Sequence, residues 1–118
     1  PYLESLLTYH EKNNVLRNVR KCEVVEGDAA KTAPKYFKAH PETIVALAYF
    51  DMALYEPTKA CLKAIMPCLV PGSVVMLDEL NSRDYPGETV AFKELFADRR
   101  YTLHKSRFMT DRSYLVIQ

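Results

Sequence analysis

Glycine is scarce in this chain. Gly27, Gly72 and Gly87 are the only three, and no two are neighbours. A glycine-rich loop that lets backbone N–H groups close on a phosphate or a cofactor therefore has no place to form. Cysteine is also scarce. Cys22, Cys61 and Cys68 are odd in number and lack the paired spacing of a zinc site. They read as buried free thiols in a reducing compartment, which points to a cytoplasmic setting. Charge of one sign is lacking too: 16 basic and 15 acidic side chains leave a formal net charge of +1. That gives no electrostatic argument for nucleic acid or for a membrane surface. No apolar run approaches the length of a membrane span, and no signal peptide is visible. No repeat, linker or low-complexity stretch divides the sequence. His10, His40 and His104 are scattered in polar surroundings and are given no role.

Within those limits, 118 residues with 48% hydrophobic and 26% charged side chains suffice for one modest core. Residues 1–118 read as a single domain. The first residue is Pro1, not methionine, and it leads directly into helix-like sequence. The expectation is a chain that starts within a larger protein.

The most informative stretch is Thr43-Ile-Val-Ala-Leu-Ala-Tyr-Phe-Asp51-Met-Ala-Leu-Tyr55-Glu-Pro-Thr58. Its first half is an apolar run of β-formers and predicts a strand buried on both faces. The run ends on a carboxylate, Asp51. Glu56-Pro57-Thr58 then reads as the first turn of a helix, where proline lacks only an N–H that has no partner anyway. In open parallel sheets, ligands sit beyond the carboxyl ends of the strands, so Asp51 stands where chemistry is usually placed. The plainer reading is that Asp51 caps the loop or the next helix. Pro71-Gly72-Ser73-Val-Val-Met-Leu-Asp78-Glu79 repeats the grammar of turn, apolar run and acids. Adjacent strands lie about 4.8 Å apart, so Asp51, Asp78 and Glu79 would share one rim and could hold one hard cation. Oxygen ligands suit Mg²⁺, Mn²⁺ or Ca²⁺ better than zinc.

Around these two strands the chain reads as follows. Tyr2, Leu3, Leu6, Leu7 and Tyr9 follow helical spacing, fading near Asn13-Asn14. Cys22–Glu26 is a short strand closed by Gly27-Asp28. Ala29 to Ala39 is a helix that Asp28 caps. A helix from about Pro57 to Met66 follows the central strand. Leu80 to Gly87 is the longest loop, and loops at this edge commonly carry binding residues. Tyr55 and Tyr85, in the two rim loops, are candidate substrate contacts. Tyr85-Pro86-Gly87-Glu88-Thr89 is expected as a mobile loop over the rim, closing into a helix over Glu88 to Ala97; its functional reading is a substrate lid, its plainer one a turn plus helix start. Tyr101–Ser106 and Ser113–Ile117 are strands joined without a helix, so they must be antiparallel. The layout is a Rossmann-like, doubly wound α/β sheet, mostly parallel, with a C-terminal antiparallel hairpin.

Three segments in this order, Phe50-Asp51-Met52-Ala53-Leu54-Tyr55-Glu56-Pro57-Thr58-Lys59, Pro71–Glu79 and Tyr85–Thr89, resemble the later half of the macrocin O-methyltransferase family. The similarity runs from about residue 20 to the end. It implies the class I methyltransferase fold and S-adenosylmethionine-dependent, Mg²⁺-assisted methylation of a hydroxyl on a small molecule, a sugar or natural product. It implies that Asp51, Asp78 and Glu79 bind the metal, with Asp51 also the catalytic base. It places Gly27, Asp28 and Ala29 near the cofactor's adenine. Ala53 stands where the family usually has a second acid. The family's first two strands and its glycine loop have no counterpart, so this chain alone is expected to be inactive. Two other readings remain: a non-catalytic binding or assembly module, and another group transfer such as acyl-CoA transfer. Without the first two strands, the central strand lacks a neighbour. Cys22–Glu26 is expected to pair directly with Ile44–Phe50 by a right-handed crossover, and the uncovered apolar face of the first helix to drive homo-oligomerisation.

Overall fold

The computed structural model describes residues 2–118. Pro1, where the helical expectation begins, lies outside the described residues. Four helices form, α1 (Tyr2–Lys12), α2 (Ala29–Ala39), α3 (Tyr55–Ile65) and α4 (Gly87–Phe96), with a 3₁₀ turn at Met66–Cys68. Four strands form one sheet: β1 (Leu47–Phe50), β2 (Val74–Leu77), β3 (Tyr101–Lys105) and β4 (Ser113–Ile117). The spatial order is β1-β2-β4-β3. β1 and β2 are parallel, with Leu47 opposite Val74 and Phe50 opposite Leu77. β4 is antiparallel to both β2 and β3. The mixed sheet and its terminal antiparallel hairpin match the expected architecture.

The period of two along each strand sorts the side chains onto two faces. Phe50, Val75, Leu77, Leu115 and Ile117 point to one face and are buried. They pack with Leu62 and Ile65 of α3 and Ala91, Phe92 and Phe96 of α4. Phe92, Phe96 and Tyr101 add edge-on and stacked ring contacts at this core. Ala29, Ala33 and Phe37 of α2 pack against its border. Asp28 caps α2, its carboxylate accepting from the Ala30 N–H at 3.0 Å. The other sheet face carries Leu47, Tyr49, Val74, Met76, Tyr114 and Val116, all exposed or half-buried.

Two expectations are corrected. Cys22–Glu26 is not a strand and does not pair with β1. The Glu11 carboxylate holds this segment to α1 instead. It accepts from the Lys21 N–H at 2.7 Å, the Cys22 N–H at 3.2 Å and the Cys22 thiol at 3.1 Å. Those hydrogen bonds lower the Glu11 pKa and raise that of the thiol. β1 is therefore an edge strand, shorter than the expected Ile44–Phe50 and not buried on both faces. Leu47 is 66% exposed and Tyr49 49%. Upstream, the chain is held at Val45, whose N–H donates to the Cys68 carbonyl at 2.9 Å and whose carbonyl accepts from Ser73 Oγ at 2.7 Å.

This asymmetry sets a test. Leu62 is fully buried, so Leu62→Ala should cost about 2–5 kcal/mol in chemical denaturation. Leu47→Ala should stay within about 0.5 kcal/mol at protein concentrations low enough to keep the chain monomeric. A comparable cost at Leu47 would mean that the open edge is covered.

Candidate functional site

The carboxyl ends of β1 and β2 are held level by the ladder, which continues one residue further. The Asp78 N–H donates to the Phe50 carbonyl at 3.0 Å. This brings Asp51, Asp78 and Glu79 to one rim, as expected from their positions at the strand ends. Beneath the rim lies Glu88, in the first turn of α4 and fully buried. Its carboxylate accepts from three backbone N–H groups: Met52 and Ala53 at 3.2 Å each, and Glu79 at 3.0 Å. One side chain thus ties the loop after β1, the end of β2 and α4 together. An anion is also favoured at that place by the positive end of the helix.

Gly87 makes this approach possible. A Cβ there would stand 2.4 Å from the Tyr55 nitrogen and 2.6 Å from the Ala53 carbonyl oxygen. The loop is also bent sharply at Ala53, whose φ of 58° lies in the left-handed region that non-glycine residues seldom adopt. Of the two readings of Tyr85–Thr89, the turn plus helix start describes what forms. Gly87, Glu88 and Thr89 form the first turn of α4, and the Thr89 hydroxyl accepts from the Asn81 N–H at 2.7 Å. Tyr85 and Pro86 remain exposed ahead of the helix.

The three rim acids differ in their surroundings. Asp51 is exposed. Asp78 is largely buried and already has partners: Tyr49 donates its hydroxyl at 2.6 Å and Arg112 pairs with the same oxygen. The Arg112 guanidinium, then Tyr49, hold the Asp78 pKa below the usual carboxylate range. The same bonds raise the pKa values of Tyr49 and Arg112. Glu79 is the opposite case. Burial first, then the charges of Glu88, Asp78, Asp51 and Asp111, push its carboxyl up. Its Oε2 is buried without a hydrogen-bond partner.

Among the described residues, no three His, Cys, Asp or Glu side chains are placed to hold one ion. Arg112 pairs with Asp78. The guanidinium supplies the rim's positive charge, and burial pushes the Glu79 carboxyl pKa up.

The remaining candidates lie elsewhere. Tyr55 is half-buried and its hydroxyl donates to Glu94 at 2.8 Å while accepting from Lys59 at 2.6 Å. Lys59 also pairs with Glu94 at 2.8 Å, which holds the lysine firmly protonated. The Tyr55 hydroxyl thus ties α3 to α4. Gly27, Asp28 and Ala29 are not beside the acids. The Ala29 carbonyl accepts from the Cys61 thiol at 3.4 Å, six residues into α3, or about 9 Å along that helix from Tyr55.

Sequence reasoning missed Glu88, Tyr49 and Arg112 as rim residues. Glu88 lay within a motif already singled out, and its position one residue after a helix-opening Pro86-Gly87 was the available signal. Tyr49 had only its parity, facing away from the buried Phe50. Arg112 had no local signal, because the sheet brings it to Asp78 from 34 residues away.

Sheet order, rim and terminal hairpin define the class: part of a methyltransferase-type, Rossmann-like α/β fold. Among solved structures, the chain is similar to the apo form of CalS11, a TDP-rhamnose 3'-O-methyltransferase in calicheamicin biosynthesis. That match has 40% identity and a TM-score of 0.88 and covers 98% of this chain. A second structure of CalS11, a calicheamicin methyltransferase, matches at 41% identity and a TM-score of 0.83, again over 98% of the chain. The chain spans about half the length of these proteins, 50% and 45% respectively. No family model and no curated protein matches it.

Two measurements test the rim. Glu88→Ala removes the acceptor from three buried N–H groups and should cost on the order of 3 kcal/mol or more; Gly87→Ala should cost about 1–3 kcal/mol through the clash with the Ala53–Tyr55 backbone. Wild-type stability at either variant would contradict the clamp. Stability against pH tests the acids. Asp78, with its lowered pKa, stabilises the fold above the ordinary carboxylate range, and that contribution is lost as pH falls through its folded pKa. Glu79, with its raised pKa, does the reverse and subtracts stability as pH rises past the ordinary range. Glu79→Gln should therefore raise the denaturation midpoint at pH 7, with the gain vanishing in acid. A gain that persists unchanged in acid would count against this.

Proposed function

We propose that this chain carries the acceptor-side rim of an S-adenosylmethionine-dependent O-methyltransferase that acts on a sugar hydroxyl of a nucleotide-linked or natural-product substrate. The supporting observation is the match over 98% of the chain to a TDP-rhamnose 3'-O-methyltransferase, with Asp51 and Glu79 on an ordered rim. Membership of the macrocin O-methyltransferase family is part of the same reading, as is a cytoplasmic setting.

Asp51 is the base in this scheme. It is exposed at the carboxyl end of β1 and free to take the proton of an acceptor hydroxyl. Glu79, with a buried carboxylate oxygen that has no partner, stands next to it and can orient a neighbouring hydroxyl. Asp78, Tyr49 and Arg112 hold each other and keep a fixed positive charge beside the place where an alkoxide would develop. The methyl donor supplies an electrophilic methyl when bound. This chain's three separated glycines do not form a cradle for it, and Asp28 already caps α2, so Gly27, Asp28 and Ala29 offer only a side contact to an adenine. No step is assigned to magnesium, because the rim does not form a cage for it.

One observation favours a second reading, an assembly module. β1 offers an open edge next to an apolar sheet face, and such an edge invites pairing. A homo-oligomer is compatible with either reading.

A chimaera tests the function. This chain, replacing the matching half of CalS11, should retain methyl transfer. Asp51→Asn in the chimaera should lower the rate by about 10²–10⁴-fold. A folded chimaera that transfers no methyl group, or that is indifferent to Asp51→Asn, would contradict the proposal. Calorimetric titration of the chain alone with S-adenosylmethionine should give no saturable micromolar binding, and such binding would refute its expected inactivity.

A further inference from the structure

A cleft of about 560 Å³ opens between α4 and the β3–β4 hairpin. Its size is within the range of small-molecule sites. It lies on the same rim as the acids. Leu80 and Asn81, which directly follow Glu79, form one wall, and Ser113, which pairs with Leu77 at the end of β2, forms another. Its floor is apolar, made by Leu80 and Phe92.

The charged groups lining it are two cations and one anion: Lys93 on α4, Lys105 at the end of β3, and Asp111. Alternation on β3 puts Lys105 on the same face as Tyr101, which packs on Phe92, so it faces α4. His104 also borders the cleft, but its ring stacks on Tyr114 at 5.0 Å on the opposite sheet face. Lys93 and Lys105 are exposed and have no ion pair of 4 Å or less among the described residues. This differs from Lys59 and Arg112, which are held by carboxylates. Two lysines approach the cleft from two different elements, beside a hydroxyl and an amide. That arrangement suits a multiply charged oxyanion, which lysine binds as a point charge.

We propose that this cleft binds the diphosphate of a nucleoside-diphosphate-linked acceptor, with Lys93 and Lys105 as its cationic contacts. The inference rests on the methyltransferase reading and adds the place where the acceptor is gripped. A diphosphate in the cleft would leave the attached sugar at the rim, within reach of Asp51 and Glu79. The apolar floor would take the less polar remainder of the ligand.

The test is calorimetric titration of the full chain with thymidine diphosphate, with inorganic pyrophosphate and with thymidine as separate arms. Thymidine diphosphate should bind saturably, pyrophosphate should compete with it, and added salt should weaken both. Lys93→Ala and Lys105→Ala should each weaken binding by about tenfold. Lys63→Ala, on an exposed position of α3, should leave binding unchanged. Both cleft lysines are exposed, so loss of fold is not expected, and circular dichroism of each variant checks it. Absence of binding, thymidine binding as well as its diphosphate, or affinity indifferent to both lysines would overturn the proposal. The two readings fail separately. An inactive chimaera with intact lysine-dependent binding would remove the methyl transfer and keep the cleft, and the reverse result would do the opposite.

Discussion

One buried carboxylate sets the geometry of this molecule's functional edge. Glu88 has no exposed surface and accepts hydrogen bonds from Met52, Ala53 and Glu79. Each of those N–H groups sits just beyond the end of a strand, where the ladder stops and a donor would otherwise be unpaired. A buried charge is costly unless it is fully hydrogen-bonded. Here the charge is offset by backbone donors and by the helix end, and the donors are satisfied by the charge. Gly87 completes the fit by letting the Ala53–Tyr55 backbone lie directly on α4. Remove either residue and the level ends of β1 and β2 lose their common support. The ladder would still hold the two strand ends level, but the loop after β1 and the start of α4 would no longer be tied to them.

The rim above that support divides its charges by environment. Asp78 is kept ionised by a guanidinium and a phenol, Glu79 is pushed toward its neutral form, and Asp51 faces solvent. Three carboxylates on one edge therefore do not act as three equal anions. Arg112, from the hairpin, places a cation beside Asp78. The same hairpin contributes Lys105 to the cleft, so one C-terminal element both neutralises the rim and lines the neighbouring cavity.

Much of this was legible from the residues. The apolar run into Asp51 and the Pro71-Gly72 turn into Asp78-Glu79 located β1, β2 and their shared rim, because strand ends and carboxylates are local features. The final hairpin followed from a linker too short for a parallel crossover. The errors came where tertiary partners decide the outcome. Cys22–Glu26 has strand-like composition, but Glu11 on α1 takes the N–H groups of Lys21 and Cys22 at its start, and no ladder reaches it among the described residues. Ile44–Phe50 reads as a central strand, yet in this chain one flank is open and only Leu47–Phe50 is paired. The partner of the Tyr55 hydroxyl, Glu94 on α4, is likewise brought to it only by the fold. Arg112 meets Asp78 only through the sheet, so nothing in its neighbours announced it.

The clamp is tested most directly by amide hydrogen exchange at three positions in the unsubstituted chain. The Met52, Ala53 and Glu79 N–H groups lie outside the strand ladders, yet each donates to a buried acceptor. They should exchange slowly and with similar protection, close to that of core amides such as Val75 and Leu115. Rapid exchange at these three amides, at the rate of exposed loops, would contradict the claim that Glu88 holds the rim together.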